Sequence, residues 1–253
     1  MDVRFRERVR RHEPLVGTFI KSGAHEIAEL LGGTGIDFAV IDAEHAPLGL
    51  DRIDRMVLGA RSAALPCLVR LPALAPALAG QMLDLGASGI VVPHVADAAS
   101  AAAAVAEARY HGGRRGYSPS TRAARYGADG PTGYAERADA GTGIWCQIED
   151  PAALAAIDAI AAVEAVDCLF IGRADLAMAM GVAPGDAAIA DAVRAVAEAG
   201  RRYDRTIGIF VASMAEVPDL LALGITVFAC GSDQSHLAAA GRAMARSLKD
   251  AIA

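Results

Sequence analysis

The chain has 253 residues, 54% hydrophobic and 5% aromatic, which is enough apolar material for one large core. Its net charge of −6 leaves no basic surface for a phosphate backbone and argues against nucleic acid as a partner. Because the first residues are polar and no apolar run of about 18 residues occurs, we expect a soluble cytoplasmic protein with no leader and no membrane span. The four cysteines lack disulfide or zinc spacing, so we expect buried apolar residues.

Short apolar segments alternate with longer amphipathic segments rich in alanine and leucine. Their nearly continuous hydrophobicity is typical of parallel strands covered on both faces. The predicted strands are residues 15–20, 37–42, 66–71, 89–94, 144–149, 167–172, 206–211 and 226–230.

Eight strand–helix pairs in about 250 residues predict the α/β class and a (β/α)8 TIM barrel, with residues 1–253 as a single domain. An open doubly wound sheet is the competing fold. No G-x-G-x-x-G follows the first strand, and this disfavours dinucleotide binding.

One long insertion interrupts the alternation at residues 111–143, between the fourth helix and the fifth strand. Loops of this length inside a compact domain are usually functional. The segment is rich in arginine and tyrosine. We expect it either to cover the barrel mouth and bind an acidic tail of the substrate, or to pack against a neighbouring subunit.

Polar residues follow several of the predicted strands, at the end of the barrel where functional residues gather. This set comprises Asp42, Glu44, His45, Arg70, Gln147, Glu149, Asp150, Arg173 and Asp175. Glu149 and Asp175 follow successive strands, which lie about 5 Å apart, so their carboxylates can converge on one hard divalent cation. Taken singly, each acid is also compatible with a helix cap or a solvated loop.

His45 and Arg70 carry the remaining chemistry. His45 has the ordinary pKa of a general base near neutral pH, although a surface histidine is the alternative. Arg70 follows an apolar strand directly, and a buried guanidinium needs an anionic partner. That partner is either the substrate or Asp42.

The motifs GTFIK, FAVIDAEHAP, VRLP, LDLGASGIVVPHV, GGRRGYSP, QIED and FIGRADLAMAMG together resemble the HpcH/HpaI family of class II pyruvate aldolases. These enzymes are similar in type to 4-hydroxy-2-oxoheptanedioate and 2-keto-3-deoxy sugar acid aldolases. The resemblance runs from about residue 15 to beyond residue 230. It implies metal-dependent, reversible cleavage of a 4-hydroxy-2-oxo acid to pyruvate and an aldehyde.

The resemblance also implies roles for individual residues. Glu149 and Asp175 would bind the metal, Mg²⁺, Mn²⁺ or Co²⁺. Asp175 would also contact the bound 2-oxo acid, as would Gln147 and the backbone of Ala174. His45 would accept the proton, Asp84 would hydrogen-bond that histidine, and Arg70 would stabilise the developing oxyanion. A homo-oligomer, a hexamer, is expected from the family.

Two residues depart from the family pattern, and both lie beside the predicted site. Arg173 stands where proline is common, and His94 follows the fourth strand. Either can reshape the aldehyde pocket.

Three alternatives stay open at this point. A Schiff-base aldolase would need a lysine at the mouth, where Lys21 is the only candidate. An acyl-CoA carbon–carbon lyase of the same superfamily would need a basic nucleotide site, and none is evident. A non-catalytic barrel that binds a small acid would have no need of the complete set of polar residues.

Overall fold

The chain forms a closed barrel of eight parallel strands. In this computed structural model, which describes residues 3–128, 130 and 133–252, each strand pairs with the next one and β8 closes the barrel against β1. This confirms the predicted single-domain (β/α)8 barrel. The strands are β1 (Leu15–Ile20), β2 (Phe38–Asp42), β3 (Cys67–Arg70), β4 (Gly89–Val92), β5 (Gly143–Ile148), β6 (Cys168–Ile171), β7 (Thr206–Val211) and β8 (Val227–Ser232).

Helices surround the barrel, and short 3₁₀ turns lie at 125–127 and 214–216. Among the described residues the helices are α1 (Val3–Arg10), α2 (His25–Gly32), α3 (Leu50–Ser62), α4 (Pro76–Leu85), α5 (Ala98–Ala108), α6 (Tyr134–Gly141), α7 (Pro151–Ala155), α8 (Ile157–Ala161), α9 (Arg173–Met180), α10 (Ala187–Tyr203), α11 (Val217–Ala222) and α12 (Asp233–Ile252). No helix among the described residues is long and apolar enough to cross a membrane.

All eight predicted strands are present, with ends within two residues of the predicted ones. β4 ends early because Pro93 has no N–H to donate and His94 adopts a left-handed backbone with φ of 54°. The amphipathic segment 151–162 forms two short helices that are divided at Ala156, where ψ is 12°.

Aromatic side chains fill the barrel interior near the end where the strands begin. Trp145 stacks on Phe170 and meets Phe38 edge to face, with ring centroids 6.0 and 5.3 Å apart. Phe5 of α1 packs on Phe38, and Arg6 beside it donates to the buried carboxylate of Asp167 at 2.9 Å. Helix α1 therefore closes this end of the barrel and leaves the opposite end as the mouth.

The inserted segment 111–143 packs against the outer helices. Residues 129, 131 and 132 lie outside the described residues, and the rest includes the 3₁₀ turn and α6. The fully buried Arg115 lies over the Tyr110 ring and donates to Asp84 of α4 at 2.8 Å. Arg122 donates to Asp54 of α3. None of the described residues of this segment lines the cavity at the mouth.

Three of the four cysteines are buried, as expected, and all four are free thiols. Burial raises the pKa of Cys67 to about 12 and also raises the pKa of Cys146 and Cys168. These thiols are therefore part of the apolar core.

Candidate active site

A cavity of about 650 Å³ opens at the carboxyl ends of the strands. Its walls come from the ends of β1, β3, β5, β6, β7 and β8 and from the loops that follow some of these strands, as expected for the functional end of a parallel barrel. Its charged and amide-bearing lining residues are Lys21, Arg70, Gln147, Arg173, Asp175 and Glu216.

Arg70 and Asp42 form a buried bidentate ion pair beside this cavity. Nε and Nη2 of Arg70 donate to the two carboxylate oxygens of Asp42 at 3.0 and 2.7 Å, because β2 and β3 place the two residues opposite each other in register. The Arg70 guanidinium also lies 4.9 Å above the Phe19 ring, and its Nη1 is 3.3 Å from Glu44 Oε2. The anionic partner expected for Arg70 is therefore Asp42, while Arg70 still lines the cavity.

Asp42 also shapes the loop that carries Glu44 and His45. Its Oδ1 accepts hydrogen bonds from the backbone N–H groups of both residues at 3.2 and 3.1 Å. Burial acts to raise the pKa of Asp42. The hydrogen bonds and the charge of Arg70 outweigh it, helped by the hydrogen bond from the His45 N–H and by the charge of Lys21, and the pKa lies below its ordinary value. Asp42 is therefore ionised at neutral pH.

Lys21, the candidate for a Schiff base, is paired with the same carboxylate. Its Nζ lies 3.2 Å from Asp42 Oδ2. A Schiff-base lysine must be free to attack a carbonyl carbon, whereas Lys21 is engaged by a carboxylate.

Glu149 lies buried immediately beyond β5, with 2% of its surface exposed. The His94 N–H donates to Glu149 Oε1 at 2.8 Å, and the Gln147 amide donates to Oε2. Burial, and then the charges of Glu44 and Asp175, raise the pKa of Glu149 although His94 opposes them. The structure thus brings carboxylates together around a poorly solvated position.

Asp175 lies in the first turn of α9 and lines the cavity together with Ala174. The backbone leading to it passes close to Glu149. A Cβ at Gly172 would be only 2.8 Å from Glu149 Oε2 and 3.1 Å from Gln147 Nε2, so glycine is required there. Asp175 is close enough for its charge to act on Glu149, and the shared binding of a metal by these two residues stays a prediction.

His94 is half-enclosed by carboxylates, an environment that sequence analysis did not anticipate. Its Nδ1 lies 3.1 Å from Asp150 Oδ2 and 3.4 Å from Glu149 Oε1, and its Nε2 lies 3.7 Å from Glu44 Oε1. Burial acts to lower the pKa of His94, but the hydrogen bond to Asp150 and the charges of Glu149, Asp150 and Glu44 together raise it above its ordinary value.

His45 and Asp84 occupy different parts of the molecule. Half of the His45 side chain is exposed, and its Nε2 lies 3.7 Å from Glu44 Oε2 at the mouth. Asp84 lies near the end of α4 that leads into the start of β4, where its carboxylate accepts from Arg115. The structure therefore does not bring the two residues together within one chain, because the helix carries Asp84 away from the mouth. Their predicted hydrogen bond stays a prediction.

The donor set at this site suits a divalent cation. Among the described residues, Glu44, His94 and Glu149 each offer a ligand atom, and these atoms all lie within 4.8 Å of one another. Two buried oxygens here, Glu44 Oε2 and Gln147 Oε1, make no hydrogen bond. Carboxylate oxygens with unsatisfied acceptor capacity are the ligands that hard cations prefer.

Arg173, which departs from the expected pattern, ties two loops of the mouth together. Its Nη1 donates to Glu216 Oε2 and its Nη2 donates to the Phe210 carbonyl, both at 2.8 Å. Because Glu216 also accepts from the backbone of Ala212 and Ser213, this contact joins the β6–α9 loop to the loop after β7.

Comparison with known proteins gives consistent results over nearly the whole chain. A model of the HpcH/HpaI aldolase/citrate lyase family matches residues 15–240. The chain is 37% identical to the hydroxypyruvate/pyruvate aldolase of Pseudomonas aeruginosa, over 97% of this chain and 92% of that protein. It is 31% identical to the 5-keto-4-deoxy-D-glucarate aldolase of Klebsiella pneumoniae, over 97% and 96% of the two chains. A crystal structure of a family protein from Burkholderia cenocepacia superimposes with a TM-score of 0.93 at 29% identity, covering 98% of this chain and all of that one.

Proposed function

Because this chain belongs to the HpcH/HpaI aldolase/citrate lyase family, we propose that it is a class II pyruvate aldolase. The reaction is the reversible cleavage of a 4-hydroxy-2-oxo acid to pyruvate and an aldehyde. The observation that carries the proposal is the cavity at the mouth, which Arg70, Gln147 and Asp175 line and beside which Glu149 lies buried against Gln147.

A divalent cation, Mg²⁺, Mn²⁺ or Co²⁺, is the cofactor in this proposal. Glu149 and Asp175 would hold it. When bound, it would act as a Lewis acid that polarises the keto group of the substrate.

The residues of the chain have separate roles in the cleavage. Gln147 and the backbone of Ala174 bind and orient the 2-oxo acid. The guanidinium of Arg70, fixed by Asp42, stabilises negative charge on the keto oxygen as the carbon–carbon bond breaks and pyruvate enolate forms. His45 at the exposed side of the mouth removes the proton of the 4-hydroxyl group and returns one to the enolate.

The test is pyruvate release from 4-hydroxy-2-oxo acids, together with an aldol screen of pyruvate against several aldehydes. We expect activity to be lost on chelation and restored by Mn²⁺, Co²⁺ or Mg²⁺. Full turnover in a verified metal-free preparation would contradict the metal-dependent mechanism.

The proton step is tested separately by exchange of the pyruvate methyl protons with solvent deuterium, a half-reaction that needs no aldehyde. His45→Ala should lose this exchange but keep its affinity for metal and pyruvate. Exchange at the wild-type rate would assign the base to another group, with Glu44 the nearest candidate.

The alternatives have less support. Borohydride trapping with pyruvate would detect a Schiff-base enzyme, whereas the Lys21–Asp42 ion pair argues against one. Turnover of an acyl-CoA thioester such as malyl-CoA would favour the acyl-CoA lyase. A barrel that only binds a small acid would bind pyruvate yet fail to decarboxylate oxaloacetate when metal is added.

Assembly into a homo-oligomer and a cytoplasmic location are further parts of the proposal. The apolar face of α12 supports the first, since Leu237, Met244, Leu248 and Ile252 are each more than 60% exposed in the single chain. An assembly would also be needed to bring Asp84 of one copy to His45 of another.

A further inference from the structure

We propose that His94 supplies a nitrogen ligand to the divalent cation that Glu149 and Asp175 would hold, with Glu44 as a further oxygen ligand beside Glu149. The inference deepens the proposed function, on which it rests. It assigns to this chain a mixed nitrogen–oxygen site that prefers Co²⁺, Ni²⁺ or Zn²⁺ over Mg²⁺.

The distances leave room for one ion. The ligand atoms of Glu44, His94 and Glu149 all lie within 4.8 Å of one another. Two ligands on opposite sides of one cation, at about 2.0–2.3 Å each, are at most about 4.6 Å apart. Only a small inward movement of the side chains is therefore needed for binding.

The orientation of the imidazole ring favours Nε2 as the ligand atom. Nδ1 lies 3.1 Å from Asp150 Oδ2, while Nε2 faces Glu44 Oε1 at 3.7 Å. A histidine that binds a metal usually donates its other ring N–H to a carboxylate, which fixes the ring and its tautomer. Asp150 is in position to accept that hydrogen bond and is a positioning residue in this arrangement.

The backbone at His94 supports the same site. Its φ of 54° lies in the left-handed region, which non-glycine residues seldom adopt and which is concentrated at functional sites. In this conformation the His94 N–H donates to Glu149 Oε1 at 2.8 Å. One strained residue therefore orients a carboxylate ligand with its backbone and offers a nitrogen ligand with its side chain.

Glu44 provides an independent observation. Only 10% of its side chain is exposed, and its Oε2 makes no hydrogen bond. The nearest cationic groups, Arg70 Nη1 and His45 Nε2, lie 3.3 and 3.7 Å from that oxygen. A nearly buried carboxylate with an unsatisfied oxygen beside two further ligand groups indicates a place for a cation.

A nitrogen ligand has a consequence for metal selection. Mg²⁺ prefers oxygen ligands and keeps its waters, whereas imidazole suits later transition metals, whose affinity rises along the series from Mn²⁺ to Cu²⁺. The preference for Co²⁺, Ni²⁺ or Zn²⁺ over Mg²⁺ should therefore be stronger at this site than at a site made of carboxylates alone.

The test variant is His94→Asn, because asparagine tolerates the left-handed backbone but has no imidazole. The chain offers a matched control. His12 also has a φ of 54° and contacts Thr206 at the start of β7, at the opposite end of the barrel, so His12→Asn is the same substitution in the same backbone conformation. Both variants are made in the full chain, and their thermal unfolding confirms that they fold.

Two measurements without substrate follow. In pulsed electron paramagnetic resonance of the Mn²⁺-loaded protein, we expect nitrogen coupling in the wild type and in His12→Asn, and its loss in His94→Asn. In calorimetric titration, His94→Asn should weaken Co²⁺ binding on the order of 10-fold or more but Mg²⁺ binding much less, and Asp150→Asn should act in the same direction.

Each outcome decides a different question. Nitrogen coupling that persists in His94→Asn, or an unchanged preference for Co²⁺ over Mg²⁺, would overturn the inference. If wild-type protein binds Mn²⁺ without nitrogen coupling but still releases pyruvate, the inference fails and the proposed function stands. If it neither binds a divalent ion nor releases pyruvate, the proposed function itself fails.

Discussion

At the scale of single residues, Gly172 controls how closely the chain approaches Glu149. Gly172→Ala would place a Cβ 2.8 Å from Glu149 Oε2 and 2.9 Å from its Cβ, so the carboxylate must move. We expect metal affinity to fall on the order of 10-fold or more with the fold retained. Gly185→Ala is the control, since Gly185 also lines the cavity but a Cβ there meets nothing within 4 Å. Equal Mn²⁺ affinities of the two variants in calorimetry would contradict this role.

The buried charge of Glu149 should cost stability. Burial, and then the charges of Glu44 and Asp175, hold the pKa of Glu149 above its ordinary value of 4.5, so ionisation is less favourable in the folded chain than in the unfolded one. The cost is absent below the unfolded pKa, grows as pH rises from the unfolded pKa to the folded pKa, and is constant above it.

Glu149→Gln should therefore stabilise the metal-free protein at pH 7–8 by about 1 kcal/mol, or roughly 2–4 °C in thermal midpoint. The gain should disappear near pH 4, and the variant should lose metal affinity. Glu198→Gln, at an exposed position of α10, is the control. A gain that did not change with pH would show that removal of this charge is not its cause.

Most of the candidate site could be predicted from the position of residues in the sequence. Glu149, Arg70 and Asp175 lie at or just beyond the carboxyl ends of strands. Parallel topology brings these ends together at one end of the barrel whatever the conformation of the loops. The environment of His94 could not be predicted, because it depends on a left-handed backbone and on Glu44 and Asp150 from two other loops. The partner of Asp84 could not be predicted either, because Arg115 belongs to the inserted segment, which has no regular periodicity.

At the scale of elements, periodicity predicts the strands well because each is covered on both faces. β2, for example, is buried at every position. The segment 111–143 has no such periodicity, and its 3₁₀ turn and α6 form through tertiary contacts. One of these contacts, between Arg115, Tyr110 and Asp84, joins residues far apart in the sequence.

A substitution at this contact tests how much the inserted segment contributes to the stability of the fold. Arg115→Ala should lower the free energy of unfolding on the order of 3 kcal/mol, because it removes a fully buried partner of Asp84 and its packing on Tyr110. Arg194 of α10 pairs with Asp191 at the surface, where both side chains are more than half exposed, and Arg194→Ala should cost less than about 1 kcal/mol. Urea denaturation compares them, and equal losses would show that the segment contributes little to stability.

At the scale of the whole molecule, the two ends of the barrel are built differently. One end is closed by α1, with the Arg6–Asp167 ion pair and stacked aromatic rings. The other end has buried carboxylates, an unsatisfied glutamate oxygen and a left-handed histidine. Buried carboxylates thus gather at the end with the cavity, whereas left-handed backbone occurs at both ends, at His94 and at His12.

Helix α12 packs little against the rest of the described chain. Asp233 is its only buried residue among those described, and Val16, on the adjacent strand β1, is 37% exposed. If a second copy covers this apolar face, folding and association become one equilibrium, and mass action makes stability a function of protein concentration.

We expect the thermal midpoint to rise as the protein concentration is increased. The double variant Leu237→Ser, Leu248→Ser should remove that dependence. Met178→Ser, at an exposed apolar position on α9, should preserve it. A chain whose midpoint is the same at every concentration would be stable alone, and the exposed face would then have no part in holding copies together.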